Sequence, residues 1–577
     1  MRRLALLGWL VVLAALPAPA AAGWFRAEPV ADGVAAVGNV DLARDGTGAV
    51  VFVRADGHVY VSRLIAGAFQ AAERVDAGVP EGGSDPVVAA SKGGRFAVVW
   101  RSADRVLGAF SDGGPLAAPA VLGTGAVGPP DLDMAVQGTA WATFAQAGDV
   151  HAVRLRDGAW TAPPAVLDLD PAQVAGDGGG RPRVAVGADG NGVVTWGEPA
   201  PDGRRHVIAR RVIDQRISAF PQEVSPPSFE NLPAGDADSP DIAIEEDTSF
   251  AWVVWREDFG GVSRTLARRL VGSLFDAPAG IGAGGAAVAP RVAMNGDGAG
   301  LAVAGVLDGT VGASLLTGDV FAAAAPSGTG TAPLPAIAED RARAVVWQRG
   351  GQVVGRHAPR DEAFDPEVVL GDGAGAADLA ADEDGNFAVA FQQADRAMVA
   401  TWDEAPGEAA PRTTRSYQND ATPLLRWSAG DEAWGQLFRV VLDGVALPLV
   451  AATETSPKAR LKDGSHRWWV ESVDRRGQVT RSETRIVRVD TRRPSARVRV
   501  TGGRFVGATV VVRAQGSDRR SGIDGLRVDW GDGSRPTRRP GLVVTHRYTR
   551  RGTFPLVARV FDGAGNAARR SFRVRIG

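Results

Sequence analysis

The chain has 577 residues, 45% of them hydrophobic and 23% charged, with a formal net charge of −2. That length exceeds what one core can organise, so several domains are expected, and the composition is that of folded rather than disordered protein. There is no cysteine, which excludes disulfides, thiolate metal sites, cysteine nucleophiles and lipid attachment through cysteine.

Residues 1–22 read as an export signal. Arg2 and Arg3 precede an apolar stretch from Leu4 to Leu16, and alanines at 20 and 22 suit cleavage before Gly23. The stretch is too short to span a bilayer and no second one follows. The expectation is a secreted chain, cell-surface association included, with no transmembrane anchor.

From residue 23 to 404 one phrase recurs eight times. Each unit opens on a strand with Asp or Pro and alternating apolar residues, as in "PRVAV" (182–186), "PDIAI" (240–244) and "PRVAM" (290–294). A Gly- or Asp-containing turn follows, then a strand ending in an aromatic: Phe52, Trp100, Phe144, Trp196, Trp255, Trp347 and Phe391, with Ala304 in the sixth unit. A third strand comes next, as in "HVIARRV" (206–212), and then a looser element of aromatic or leucine, proline and valine, as in "FDPEV" (364–368). Units of about 42 to 59 residues with short Val-rich runs and no helical period match a four-stranded propeller blade.

The eighth unit ends at "AMVATWDEAPG" (397–407) without its fourth strand, and "WFRAEPV" (24–30), with Phe25, Pro29 and Val30, supplies the missing pattern. The expected fold is therefore all-β. An eight-bladed β-propeller (seven blades the alternative) over 23–404 is closed by the N-terminal strand and followed by two β-sandwich, immunoglobulin-like domains at 411–490 and 494–577. In the first of these Trp427, Phe438, Val440, Trp468 and Val470 are expected on the inner face.

The repeat region resembles secreted bacterial β-propellers of the sialidase-like and repeat-propeller kind. "ADGNGVVTW" keeps Asp189, Gly190 and Trp196 of an Asp-box but lacks its serine and spacing, and the WD40 signature is absent. Residues 411–490 resemble a fibronectin type III sandwich. "SDRRSGI" (517–523), "VDWGDGS" (528–534) and "HRYTRRGTFPLVARVFDGAGNAA" (546–568) resemble a PKD domain. The PKD resemblance implies a spacer or an adhesive role toward protein or glycan; it does not imply catalysis.

Residues 491–577 hold 20 Arg, five Asp and no Lys or Glu, a net of +15 that leaves −17 for the rest. Arg outnumbers Lys 61 to 3 across the chain, so the choice of Arg reflects coding bias, but bias does not remove Glu from one domain. An acidic body with a basic end module suits an electrostatic hold on anionic cell-envelope polymer.

Catalytic signals are weak. Tyr60 is the one tyrosine of the repeat region; Glu245 and Glu246 are adjacent in a strand and so face opposite sides. The histidines (58, 151, 206, 357, 466, 546) show no metal-ligand spacing and read as solvated strand residues. The Asp-Gly stretches at 382–386 and 295–300 read as hairpin turns rather than calcium loops. The strands facing the channel look Ala- and Val-rich. No catalytic, cofactor-binding or metal residue is named, and no cofactor is expected. The reading is a monomeric, non-enzymatic binding or adhesion protein for an unknown glycan or protein ligand, with no nucleic acid. The alternative is a propeller-type carbohydrate-active enzyme, hydrolase or lyase, with accessory sandwiches. Converging polar side chains in the channel would favour the alternative; the longer loops near 167–180, 197–205 and 225–238 are where a ligand is expected.

Overall fold

The computed structural model describes residues 23–577 apart from 169–172, 214–215, 246–247, 249, 273, 282–286, 307–308, 323–324, 374–375, 413–416 and 431. The expected signal segment, Glu246 and part of the 167–180 loop lie outside the described residues. Among the described residues there is no α-helix; apart from one 3-10 turn at Gly178–Gly180, all regular structure is strand. The chain divides into two compact units. One comprises residues up to Glu404 together with Ala433–Gly435, and the other comprises Ala405–Glu432 with Gln436–Gly577.

Among the described residues the first unit holds eight antiparallel sheets, and the repeat explains each of them. An innermost strand such as Arg183–Val186 turns through an Asp-Gly pair into Gly192–Pro199, which pairs in turn with Arg205–Ile213. The turn is built by its aspartate: the Asp189 carboxylate accepts from the Asn191 backbone at 2.9 Å and from its side chain at 2.6 Å. Gly190, at φ +78, takes the conformation that L side chains resist.

The seven aromatics that end the second strands are all 0% exposed. Three of them are buried between sheets, against glycine. A Cβ on Gly123 of the second sheet would meet Phe144 of the third at 2.5 Å; on Gly328 of the sixth, Trp347 of the seventh at 2.4 Å; on Gly371 of the seventh, Phe391 of the eighth at 2.5 Å. The second, sixth and seventh sheets thus leave a groove the width of a missing side chain for the ring of the next.

The fourth element is two short strands rather than one in most sheets. Ala159–Trp160 and Ala165–Val166 pair separately with Asp149–Arg156, as do Arg216–Ile217 and Gln222–Glu223 with Arg205–Ile213. Pro163, Pro164 and Pro221 stand in the gaps, where the missing N–H interrupts the ladder. The N-terminal residues follow the same rule. Gly23–Trp24 and Glu28–Asp32 both pair with Arg396–Asp403 of the eighth sheet, and Trp24 meets Trp402 edge-on at 5.8 Å.

The second unit has four sheets around two cores. In the first core Trp427, Phe438, Val440, Trp468 and Val470 are each 3% exposed or less, on the inner face where their alternation placed them. The second gathers Trp530, Tyr548 and Phe554. The Tyr548 hydroxyl donates to the Trp530 carbonyl at 3.0 Å, and the His546 ring stacks on Trp530 at 4.7 Å.

Gly328→Ala forces a methyl into the Trp347 ring, and we expect it to cost about 1–3 kcal/mol. Gly114→Ala, with nothing within 4 Å, should leave the urea midpoint unchanged. Equal midpoints for the two variants would contradict glycine–aromatic packing between sheets.

Candidate functional site

The first strands of the sheets carry charge as well as the alanine and valine expected there. At the equivalent position, counted back from the turn of each sheet, stand Asn39, Val87, Asp131, Arg183, Asp241, Arg291, Leu334 and Asp378. Along one arc acid and base alternate. Arg183 meets Asp131 at 3.1 Å and Asp241 at 4.0 Å, and Arg291 meets Asp241 at 4.0 Å. Two residues further on, Asp41 and Asp133 face the same way while other sheets have alanine. The signal was in the sequence as an Asp or Arg in phase within "DLDM", "PRVAV", "PDIAI" and "PRVAM". The small residues alternating with them masked it.

These carboxylates are engaged. Asp41 accepts from the Ala90 N–H at 2.7 Å, Asp131 from Val184 at 3.0 Å, Asp133 from Val186 at 2.6 Å and Asp241 from Val292 at 3.0 Å. In every case the donor lies on the innermost strand of the next sheet. Asn39 makes the same link with its amide, to both the N–H and the carbonyl of Val88. Burial raises the Asp41 carboxyl well above its ordinary value and the Asp378 carboxyl to about 6.

At the turn end of these strands a cavity of about 130 Å³ is lined by Asp41, Arg44, Lys92, Asp133, Asn295, Glu339 and Asp382, among others. Arg44 pairs with Glu339 at 2.9 Å, and Lys92 with Glu383 at 3.1 Å. Asp382, in the 382–386 turn, accepts from the Asn386 backbone and side chain, and burial pushes it up to about 7. Asn295, in the other Asp-Gly stretch, likewise accepts from the backbone of its own turn at Ala299.

A second site forms at the 197–205 loop, one of those expected to carry a ligand. A groove of about 450 Å³ is lined by Glu198, Pro199, Ala200, Pro201, Asp202, His206, Ile208 and Glu223. His206 Nδ1 lies 2.6 Å from Glu223 and Nε2 3.1 Å from Asp202, so a carboxylate engages each ring nitrogen. Neither nitrogen is then left for a metal or a substrate proton. On the fifth sheet Glu257 is 0% exposed, accepts from Trp255 Nε1 at 2.7 Å, and is pushed by burial up to about 7; its Oε1 has no partner. Sequence reading missed Glu257. The recurrent Trp-x-Glu at 196–198, 255–257 and 402–404, each with an indole-to-carboxylate bond, is the signal that could have found it.

The histidines are not the solvated residues expected. His151, His206 and His357 are buried, the last stacked on Trp402 at 3.6 Å and pushed down to about 4 by burial. His58, His466 and His546 lie within 2.8 Å of Asp76, Asp443 and Asp532. Tyr60 is occupied too, its hydroxyl donating to Asp56 at 2.8 Å. In the second unit Asp490, Asp518 and Asp562 bring oxygens within 4.8 Å of one another. Their carboxylates take hydrogen bonds from the Ser521 hydroxyl and from the backbones of Arg520, Ser521, Ala564 and Asn566.

No protein-family model and no curated protein matches the chain. Among solved structures, a catalytically inactive virginiamycin B lyase from Staphylococcus aureus is 12% identical with a TM-score of 0.36, covering 65% of this chain and 98% of that one. SapL1 lectin, in complex with alpha methyl fucoside, is 14% identical with a TM-score of 0.30, over 52% and 100%. AofleA from Arthrobotrys oligospora is 13% identical with a TM-score of 0.31, over 53% and 90%. Likeness at this level assigns no ligand and no activity.

Asp378 and Asp382 hold their protons more tightly folded than unfolded. Their contribution to stability is fully present below the ordinary 3.8 and is lost as pH climbs through about 6 and about 7. We expect the urea midpoint of the first unit to rise as pH is lowered from about 8 to about 5, and the double variant Asp378→Asn, Asp382→Asn to flatten that rise. A slope unchanged in the double variant would show that other groups set it.

Proposed function

We propose that this chain is a secreted, non-enzymatic binding or adhesion protein of the cell surface or extracellular space. In this reading the eight sheets are the blades of one β-propeller closed by the N-terminal strands, residues 411–490 are a fibronectin type III-like sandwich, and 494–577 are a PKD-like one. The basic last module contacts anionic envelope polymer, while loops of the propeller offer a surface to a glycan or protein ligand. Closure is supported by the pairing of Gly23–Trp24 and Glu28–Asp32 with the last sheet, and by Val34–Leu42 packing against both Ser84–Ser91 and Ala376–Ala381.

The observation that carries the non-enzymatic reading is the use made of the interior acids. Asp41, Asp131, Asp133 and Asp241 each accept a backbone N–H of the neighbouring sheet. A carboxylate holding the scaffold together in this way is not free to shuttle a proton to and from a substrate. Glycoside hydrolase or lyase chemistry is the second reading. It is favoured by Glu257, a buried carboxyl raised to about 7, the range of a general acid.

Incubating the full-length chain with a panel of neutral and acidic polysaccharides separates the two. We expect retardation in affinity electrophoresis with no new reducing ends and no unsaturated product. Product that disappears in Glu257→Gln would establish the enzyme instead.

A further inference from the structure

The charge of the last module is not spread evenly; the sheet registers line part of it up. In the four-stranded sheet made by Thr537–Arg539, Ile523–Asp529, Gly552–Asp562 and Ala567–Ile576, Arg538 lies opposite Arg527, Arg527 opposite Arg559, and Arg559 opposite Arg569. Four arginines therefore stand in one row straight across the sheet, one per strand, about 4.8 Å apart at the backbone. All lie on the outward face, because Leu526, Val528, Ala558, Val560 and Ala568, their neighbours in the alternation, are buried in the core. Arg573 and Arg575 extend the same face along the edge strand, opposite Pro555 and Thr553.

Like charges directly opposite one another destabilise a sheet, and this row does so at three successive junctions. Acidic relief on this face is small. Arg538 pairs with Asp524 at 3.1 Å and lies over the Phe561 ring at 5.6 Å. Asp529 is turned to the Gly531 N–H. Among the described residues Arg527, Arg559, Arg569, Arg573 and Arg575 have no acidic partner. A stripe of fixed positive charge that weakens its own fold calls for an external counter-charge.

We propose that this face is a binding site for a linear anionic polysaccharide laid across the strands along the arginine row. The inference rests on the reading that the last module contacts anionic polymer, and adds where and what. The spacing of the row is close to the length of one sugar ring in an extended chain, so successive carboxylates or sulfates meet successive guanidinium forks, which bind such oxyanions through two parallel hydrogen bonds. The face has no helix to enter a duplex groove and no exposed aromatic platform for unstacked bases. No large apolar side chain stands exposed on it for insertion into a lipid surface.

The test runs the full-length chain over immobilised heparin and polygalacturonate in a salt series. Beside it runs a row variant with Arg527, Arg559, Arg569 and Arg573 changed to Gln. An opposite-face variant of equal net charge has Arg497, Arg499, Arg513 and Arg547 changed to Gln. The row variant should lose about tenfold or more in affinity, and its thermal midpoint should not fall, since repulsion has been removed. The opposite-face variant should stay close to the unaltered chain. Arg559→Glu alone, at the centre of the row, should lose retention while folding normally; unchanged retention there overturns the site. Equal loss in the two quadruple variants overturns the row but leaves the polymer-binding reading standing on bulk charge. Failure of the unaltered chain to bind either polysaccharide removes both. Duplex DNA or anionic vesicles bound as tightly as the polysaccharides overturn the choice of ligand.

Discussion

Each sheet of the repeat presents an innermost edge strand whose outward N–H groups have no further strand to bond. An unpaired edge invites the wrong partner, and an unpaired buried N–H costs about as much as a lost hydrogen bond. Here the neighbouring sheet supplies a carboxylate or an amide. Asp41, Asp131, Asp133, Asp241 and Asn39 each reach across to a backbone N–H of the next innermost strand. The link is chemical as well as steric, and it ties sheet to sheet where side chains are too small to interlock. The arginines at 183 and 291 answer part of the negative charge this requires, and burial leaves Asp41, Asp241 and Asp378 holding their protons unusually well.

Further out the same sheets are held by shape. An aromatic from one sheet fills the space over a glycine of the one before, as with Trp347 over Gly328 and Phe391 over Gly371. The two devices are complementary: polar contacts at the inner strands, where sheets crowd together, and large apolar rings where they diverge and need filling. Both depend on the Asp-Gly turns, which set the register that brings each residue to its place.

The two ends of the chain handle charge in opposite ways. In the repeat unit, acids and arginines answer one another within the fold, and even the groove at the 197–205 loop holds its histidine between two carboxylates. In the last module most of the outward arginines have nothing to answer them. Charge satisfied internally contributes to scaffold; charge left open on an outward face is available to a partner.

The repeat, its turn chemistry, the aromatic ends and the inner faces of the second unit were all legible in the sequence, because each depends on spacing within one strand or hairpin. Trp427, Phe438 and Val470 could be assigned to a core from alternation alone. The charged lining of the inner strands was not legible as such. Asp131 and Arg183 lie about 50 residues apart and become neighbours only when two sheets meet; within its own strand each is one polar residue among alanines and valines. Glu257 looked like an ordinary charged residue after a tryptophan, and burial made it an unusually weak acid. The arginine excess of the last module was a plain count. That four of those arginines form one row followed from strand register, since pairing across a sheet depends on how the strands align and not on the order in which their residues are written.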